Sequence, residues 1–325
     1  MTKVLFTDTH FGTHQNSMSW LNSQLEFIYN QFIPYVKTIN DDIRVIHLGD
    51  VFDSRSTIST MVATRLLEAF NEIRKYVADF IIIGGNHDYY SPTTDNVDTL
   101  NLIFQDSLIR LVTNDIYVDG EDAYVPWYEW LNQDKLKSFI KGHQEIKNIY
   151  THADIINEHV DSFFNDINIY SGHIHTPDIQ THRFNLGSCY SLTFTDANSD
   201  RGFYVDCGDG LKFHPNTQSI RFWRLYNDDI FDKNKLSKLQ ANDYIEIYIN
   251  QTNLIIDKYT KQLDEFAKRF KNKWIIPQIV SSQIDESIDT FEGYNIEEIC
   301  RKYIPQEISD KFERIVEACS VSKNE

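Results

Sequence analysis

Apolar runs of four or five residues recur along this chain, and each stops at a polar side chain with chemistry of its own. Lys3–Thr7 ends at Asp8, Val45–Leu48 at Gly49-Asp50, and Phe80–Ile83 at Gly84-Gly85-Asn86. Runs of that length read as buried strands. Between the second and third lies STISTMVATRLLEAFNEIRKY, where Met61, Leu66, Phe70 and Ile73 recur at roughly helical spacing and predict one apolar face. Strand alternating with helix predicts an α/β layer of parallel type, in which ligands gather at the carboxyl ends of the strands. Residues 148–154 (NIYTHAD) and 168–178 (NIYSGHIHTPD) repeat the pattern, each ending in histidine.

Five strand ends therefore carry Asp8 and His10, Asp50 and Asp53, Asn86-His87-Asp88, His152, and His173 with His175. If these strands are neighbours in one sheet or in two facing sheets, the side chains converge. Imidazoles at i and i+2 of an extended chain point the same way, which predicts His173 and His175 on one side. The set is rich in imidazole nitrogen and carboxylate oxygen, holds no thiolate and includes an amide. It suits Mn²⁺, Fe²⁺ or Zn²⁺ better than Ca²⁺ or Mg²⁺. Seven or eight donors exceed what one tetrahedral ion needs. Two ions about 3.5–4 Å apart that share a carboxylate would use them all, and such a pair serves in-line displacement at phosphorus. The expected chemistry is phosphoester hydrolysis. His47, inside its strand, reads as a packing residue and His14 as part of a surface loop. His143, His159, His182 and His214 have no ligand spacing.

Composition narrows the setting. The chain has 325 residues, 41% of them hydrophobic, with 12 Gly and 7 Pro, which describes a folded protein with room for more than one lobe. Four cysteines without a C-x-x-C pair predict reduced thiols. No signal-peptide core and no membrane-length apolar run is present, so an intracellular, cytoplasmic protein without membrane contact is expected. The net charge is −17, of which about −15 falls in residues 1–210. Such a surface repels phosphate, so a nucleic-acid role requires bound cations or a partner protein. No G-x-x-x-x-G-K-[ST] nucleotide loop occurs.

Beyond residue 206 the character changes. Residues 242–249 and 274–280 read as strands around a helix whose Ile256, Tyr259, Leu263, Phe266 and Phe270 form one stripe. Lys258, Lys261, Lys268, Arg269, Lys271 and Lys273 give residues 257–273 a net +3 in an otherwise acidic chain. Residues 295–321 read as two short amphipathic helices broken near Pro305, the second lined by Ile308, Phe312, Ile315 and Cys319.

Asp8-x-His10, Gly49-Asp50-x-x-Asp53, Gly85-Asn86-His87-Asp88, His152 and Gly172-His173-x-His175, in this order, resemble the motifs of the calcineurin-like metallophosphoesterase superfamily. Within it, residues 124–130 (YVPWYEW) and 186–206 (LGSCYSLTFTDANSDRGFYVD) are similar to the nuclease subunit of DNA double-strand-break repair complexes, of the phage recombination endonuclease and SbcD-like kind. The likeness covers about residues 1–206 and thins afterwards.

The resemblance implies a two-layer β-sheet core flanked by helices (residues 1–215), a small α/β capping domain (216–288) and C-terminal helices (289–325). It implies one divalent metal ion on Asp8, His10 and His175, a second on Asn86, His152 and His173, and Asp50 bridging. Mn²⁺ is the foremost candidate, with Mg²⁺, Fe²⁺ or Zn²⁺ as alternatives. His87 is left free to act as a catalytic acid, and Asp53 and Asp88 would orient histidines, although turn capping suits Asp88 equally well. It further implies exonuclease and single-strand endonuclease activity on DNA, an SMC-like coiled-coil ATPase partner docked by the C-terminal helices, and a homodimer formed through STISTMVATRLLEAF. Two other readings stand beside this one: a phosphatase or nucleotide phosphodiesterase of the same superfamily, and a non-catalytic scaffold.

Overall fold

A computed structural model describes residues 1–91, 94–250 and 257–278. The expected C-terminal helices, Ile256 and the end of the 274–280 strand lie outside the described residues.

The strands, in chain order, are β1 (Thr2–Phe6), β2 (Ile43–His47), β3 (Asp79–Ile83), β4 (Tyr89–Ser91), β5 (Thr94–Asp98), β6 (Arg110–Val112), β7 (Tyr117–Asp119), β8 (Asp122–Val125), β9 (Asn148–Thr151), β10 (Asn168–Ser171), β11 (Asp178–Gln180), β12 (Arg183–Asn185), β13 (Gly202–Asp206), β14 (Leu211–Pro215), β15 (Phe222–Tyr226), β16 (Tyr244–Asn250) and β17 (Asn272–Gln278). Two six-stranded sheets form the core, ordered β14-β13-β1-β2-β3-β6 and β11-β12-β10-β9-β8-β7. Strands β1, β2, β3 and β6 run parallel, as do β8, β9, β10 and β12.

The unbroken apolar runs are explained by burial on both faces. Leu5, Ile46, Ile81 and Ile83 face the second sheet and meet Tyr124, Tyr150 and Tyr170. Their alternates Val4, Phe6, Val45, Phe80 and Ile82 pack beneath the helices Met18–Phe27 and Thr60–Arg74, on Leu21, Phe27, Leu66 and Phe70. The far face of the second sheet, Ala123, Val125, Ile149 and Ile169, is covered by Trp130 and by Leu136 and Ile140 of the helix Gln133–Lys141. The result is helix, sheet, sheet, helix, the mixed α/β core expected from the sequence. Across the second sheet Tyr117, Tyr124, Tyr150, Tyr170 and Phe184 stack ring on ring with centroids 4.7–5.7 Å apart, tying five strands in register. At the amino ends of the strands Lys3 reaches Asp122 of the second sheet at 2.7 Å, while Arg44 pairs with Asp79 of its own sheet at 3.2 Å and with Asp119 of the second.

One element differs in detail from its expectation. In the helix Thr60–Arg74 the buried stripe is Val62, Leu66, Ala69, Phe70 and Ile73, while Met61 is 47% exposed. Met61 is one position off the stripe, where Val62 is fully buried in its place; Ser59 caps the helix, its side chain accepting from Val62 N.

The parallel sheet β15-β16-β17 buries Leu225, Ile245, Ile247 and Ile249 against Tyr259, Leu263 and Phe266 of the helix Asp257–Ala267 and against Phe270 just after it. Its edge strand β17 leaves Trp274 and Ile275 exposed. Trp20 joins this sheet to the helical layer, with ring centroids 5.8 Å from Phe222 and 5.7 Å from Tyr244. Among the described residues, no helix is long and apolar enough to cross a membrane.

Candidate metal centre

Strands β1, β2 and β3 are parallel neighbours in one sheet, β9 and β10 in the other, so their carboxyl ends open at the same edge of the sandwich. Asp8 and His10 follow β1, Asp50 and Asp53 follow β2, Asn86 and His87 follow β3, His152 follows β9, and His173 and His175 follow β10. Ligand atoms from Asp8, His10 and His175 lie within 4.8 Å of one another, and so do those of Asp50, His152 and His173. A further group of this kind joins His10, Asp50 and His87.

In the first cluster Nε2 of His10 and Nε2 of His175 face each other at 3.2 Å, each 3.8 Å from Asp8 Oδ1. Asp50 Oδ2 lies 3.8 Å from His10 Nε2 and 3.2 Å from His152 Nε2, so one carboxylate addresses both clusters. Asn86 Oδ1 completes the second, 3.1 Å from His152 Nε2 and 3.0 Å from His173 Nδ1. Two ring nitrogens face to face at 3.2 Å, ringed by buried carboxylates, can share a proton or hold a cation between them. The seven nitrogen and oxygen donors of Asp8, His10, Asp50, Asn86, His152, His173 and His175 suit two divalent ions of the Mn²⁺, Fe²⁺ or Zn²⁺ type.

His173 and His175 reach different clusters, against the expectation that they point the same way. After Ser171 the chain leaves the sheet, and His173 takes φ 77, so the alternation of an extended strand does not apply. The backbone is left-handed also at Asp8 (φ 52), His10 (φ 40) and Asp50 (φ 53). Each costs a non-glycine residue about 1–2 kcal/mol, strain that the surrounding hydrogen bonds must hold. The loops close together: Asp8 N and His10 N donate to the carbonyls of Gly49 and Asp50, both at 3.1 Å.

Electrostatics follows from burial and proximity. Burial opposes the charge on Asp50, but His152, His10 and His87 outweigh it and hold the carboxyl well below the usual range. Asp8 is likewise depressed despite burial, chiefly by His10, His152 and His175. Burial disfavours the imidazolium of His10, yet Asp53, Asp8 and Asp50 push it up to about 10. His152 is raised to about 9 against its burial by Asp50 and Asp8. His47, buried in β2, is pushed down to about 3 by desolvation and accepts from Gly49 N, in line with a packing role.

The calcineurin-like phosphoesterase profile matches residues 1–177, more than half of the chain. The chain belongs to that family. Exonuclease subunit 1 of enterobacteria phage T4 is 23% identical to this phosphoesterase over 311 residues, covering 89% of this chain and 86% of the relative. A solved structure, the phosphopantetheinyl hydrolase of Mycobacterium tuberculosis, aligns over 66% of this chain and 98% of its own with a TM-score of 0.37 and 10% identity.

Around the donors of this phosphoesterase, other residues set orientation. His152 Nδ1 donates to Leu48 O at 2.8 Å, which leaves Nε2 to its cluster. Asp53 reaches two histidines: its side chain lies 3.5 Å from His10 Nδ1, and its carbonyl accepts from His87 Nδ1 at 2.6 Å. A carbonyl only accepts, so the Nδ1 proton of His87 is held there and Nε2 is left for other work. Asp88, fully buried, orients no histidine. It accepts from Val51 N at 3.0 Å, Phe52 N at 3.2 Å and Gly85 N at 2.9 Å, binding the loop after β2 to the loop after β3. His14 lies on the surface, stacked on Trp20 at 4.2 Å. Gly49 (φ 102) is required where it stands, since a Cβ there would sit 2.6 Å from His152 Nδ1.

Proposed function

We propose that this phosphoesterase is the nuclease subunit of a DNA recombination or repair complex, hydrolysing phosphodiesters with two divalent cations, Mn²⁺ foremost. The observation that carries the reading is the meeting of seven donors from five strand ends in two clusters that share Asp50. Asp8, His10 and His175 would hold one cation, Asn86, His152 and His173 the other, with Asp50 between them. Bound there, the cations supply the positive charge that draws in a phosphodiester and favours in-line attack by water. His87 stands beside both clusters, its backbone N–H held by Asp50 Oδ1 at 2.8 Å. With its Nδ1 proton held by the Asp53 carbonyl, the ring presents Nε2 to the scissile phosphate; a second proton carried there, on the imidazolium, passes to the departing oxygen and leaves the imidazole neutral.

DNA as substrate is supported by the likeness to a phage exonuclease subunit over most of both chains. The acidic surface calls for a partner to supply further DNA contacts, and the reading assigns that role to an SMC-like coiled-coil ATPase. A homodimer through residues 56–70 fits the exposure of Met61, Val97 and Leu102 beside a 350 Å³ groove lined by Ile58, Ala63 and Ile103. Light scattering that gives the mass of one chain at micromolar concentration would count against the dimer.

Digestion of labelled linear duplex and single-stranded DNA with Mn²⁺ tests the main reading, alongside a small phosphodiester and a phosphomonoester. DNA cleavage abolished by a chelator is the expected result. Turnover of the small esters alone would make the protein a phosphatase or nucleotide phosphodiesterase.

A further inference from the structure

The turn that carries Asp8 and His10 is held from two sides. Its N–H groups go to the loop after β2, as described above. Its carbonyl side is met by two residues outside the set of candidate metal donors, Gln24 and Tyr190. Gln24, on the buried face of the helix Met18–Phe27, is 1% exposed. Its Nε2 donates to Thr9 O at 2.8 Å, to His10 O at 3.3 Å and to Tyr190 OH at 2.9 Å. Tyr190, 2% exposed, donates its own hydroxyl proton to the same Thr9 carbonyl. Carbonyls around the amide fix which end faces the turn, because only the nitrogen can donate.

We infer that Gln24 and Tyr190 are positioning residues, a clamp on Thr9 that keeps Asp8 and His10 in the geometry of a cation seat shared with His175. Thr9 sits between the two donors, so rotation of its peptide swings both side chains at once. Both donors lie in left-handed backbone, and that strain relaxes when the clamp is released. The two clamp members overlap. Removing either leaves Thr9 O with one partner, and His10 O keeps Thr13 N at 3.1 Å. Only the double loss leaves the Thr9 carbonyl buried and unpaired.

This inference rests on the two-cation reading, and the test separates the two. Mn²⁺ is titrated calorimetrically into the full chain as wild type, Gln24→Leu, Tyr190→Phe, the double variant, and Leu21→Ala, a core change in the same helix. Wild type should take two ions. The double variant should keep one at wild-type affinity and bind the other about 10- to 100-fold more weakly. Its low-temperature EPR should change from a spin-coupled pair to a single-ion signal at a one-ion dose. Each single variant should lose less than half of the double's effect on a logarithmic scale. Leu21→Ala should lower the melting temperature and keep both ions. Unchanged binding of both ions by the double variant would overturn the clamp, as would an equal loss in Leu21→Ala. A wild type that binds no pair of ions would sink the two-cation reading itself, before any variant is compared.

Discussion

Replacing Asp88 by alanine should damage this protein more than replacing any single exposed acid, although Asp88 donates nothing to either cluster. Its carboxylate is the acceptor for three buried N–H groups, those of Val51, Phe52 and Gly85. A buried donor left unpaired costs about 1–3 kcal/mol. Partial relaxation and water entry favour the low end for each, so Asp88→Ala should lose about 3 kcal/mol in total. Asp88→Asn keeps one carbonyl oxygen for Val51 and Phe52 but turns an amide N–H₂ toward Gly85 N–H, and should lose about 1–2 kcal/mol. Urea unfolding at pH 7.5 in chelator reads both values, and Mn²⁺ titration reads the displacement of Asp50 from the joined loops. The pH dependence adds a second check. Burial, with the nearby charge of Asp50, pushes Asp88 up to about 7. The folded state thus binds this proton more tightly than the unfolded chain. The stability so gained is fully present below the ordinary carboxylate range and is lost as pH rises through about 7. The wild-type advantage over Asp88→Asn should therefore shrink between pH 4 and 7. An alanine variant within about 0.5 kcal/mol of wild type, with both ions bound normally, would refute the loop-joining role.

His87→Ala should retain both metals by elemental analysis and lower kcat on DNA by about 10²–10⁴, the usual range for a general acid; loss of metal instead would make His87 a ligand. Because His10 and His152 hold protons up to about 10 and 9, cation binding must displace them. Mn²⁺ affinity should then rise steadily from pH 6 to 8 with proton release in calorimetry, and a flat profile would contradict the assignment. Gly49→Ala forces a Cβ into His152 at a positive φ, and should cost about 2 kcal/mol or more with impaired metal binding, read by thermal unfolding and Mn²⁺ titration.

Much of the candidate site was legible in the linear chain, for a physical reason. A strand buried on both faces must be apolar throughout, so the point where Ile83 gives way to Gly84-Gly85-Asn86 marks where the backbone leaves the core. A polar cluster placed there is free to serve chemistry. The same logic located Asp8, Asp50, His152 and His173, while helical spacing gave the apolar stripe of the helix Asp257–Ala267. Helical spacing alone leaves the phase open by one residue, and packing of Val62 into the core decided it, which leaves Met61 exposed.

Pairing across long sequence distance was decided only by the tertiary structure. Nothing local places β10 beside β9 or both across from β1 to β3; the shared place of Asp50 came from the motif resemblance and not from spacing, and that Asp88 fastens two loops is visible only in the fold. The left-handed turn at His173 sends two histidines two residues apart into different clusters, which an extended reading cannot anticipate. Gln24 and Tyr190 reach Thr9 from a helix and a distant loop, and neither carries a spacing signal. Local sequence determined which segments are buried and where polar chemistry emerges. Which donors meet, and what holds them, depended on contacts between residues 15 to 181 positions apart.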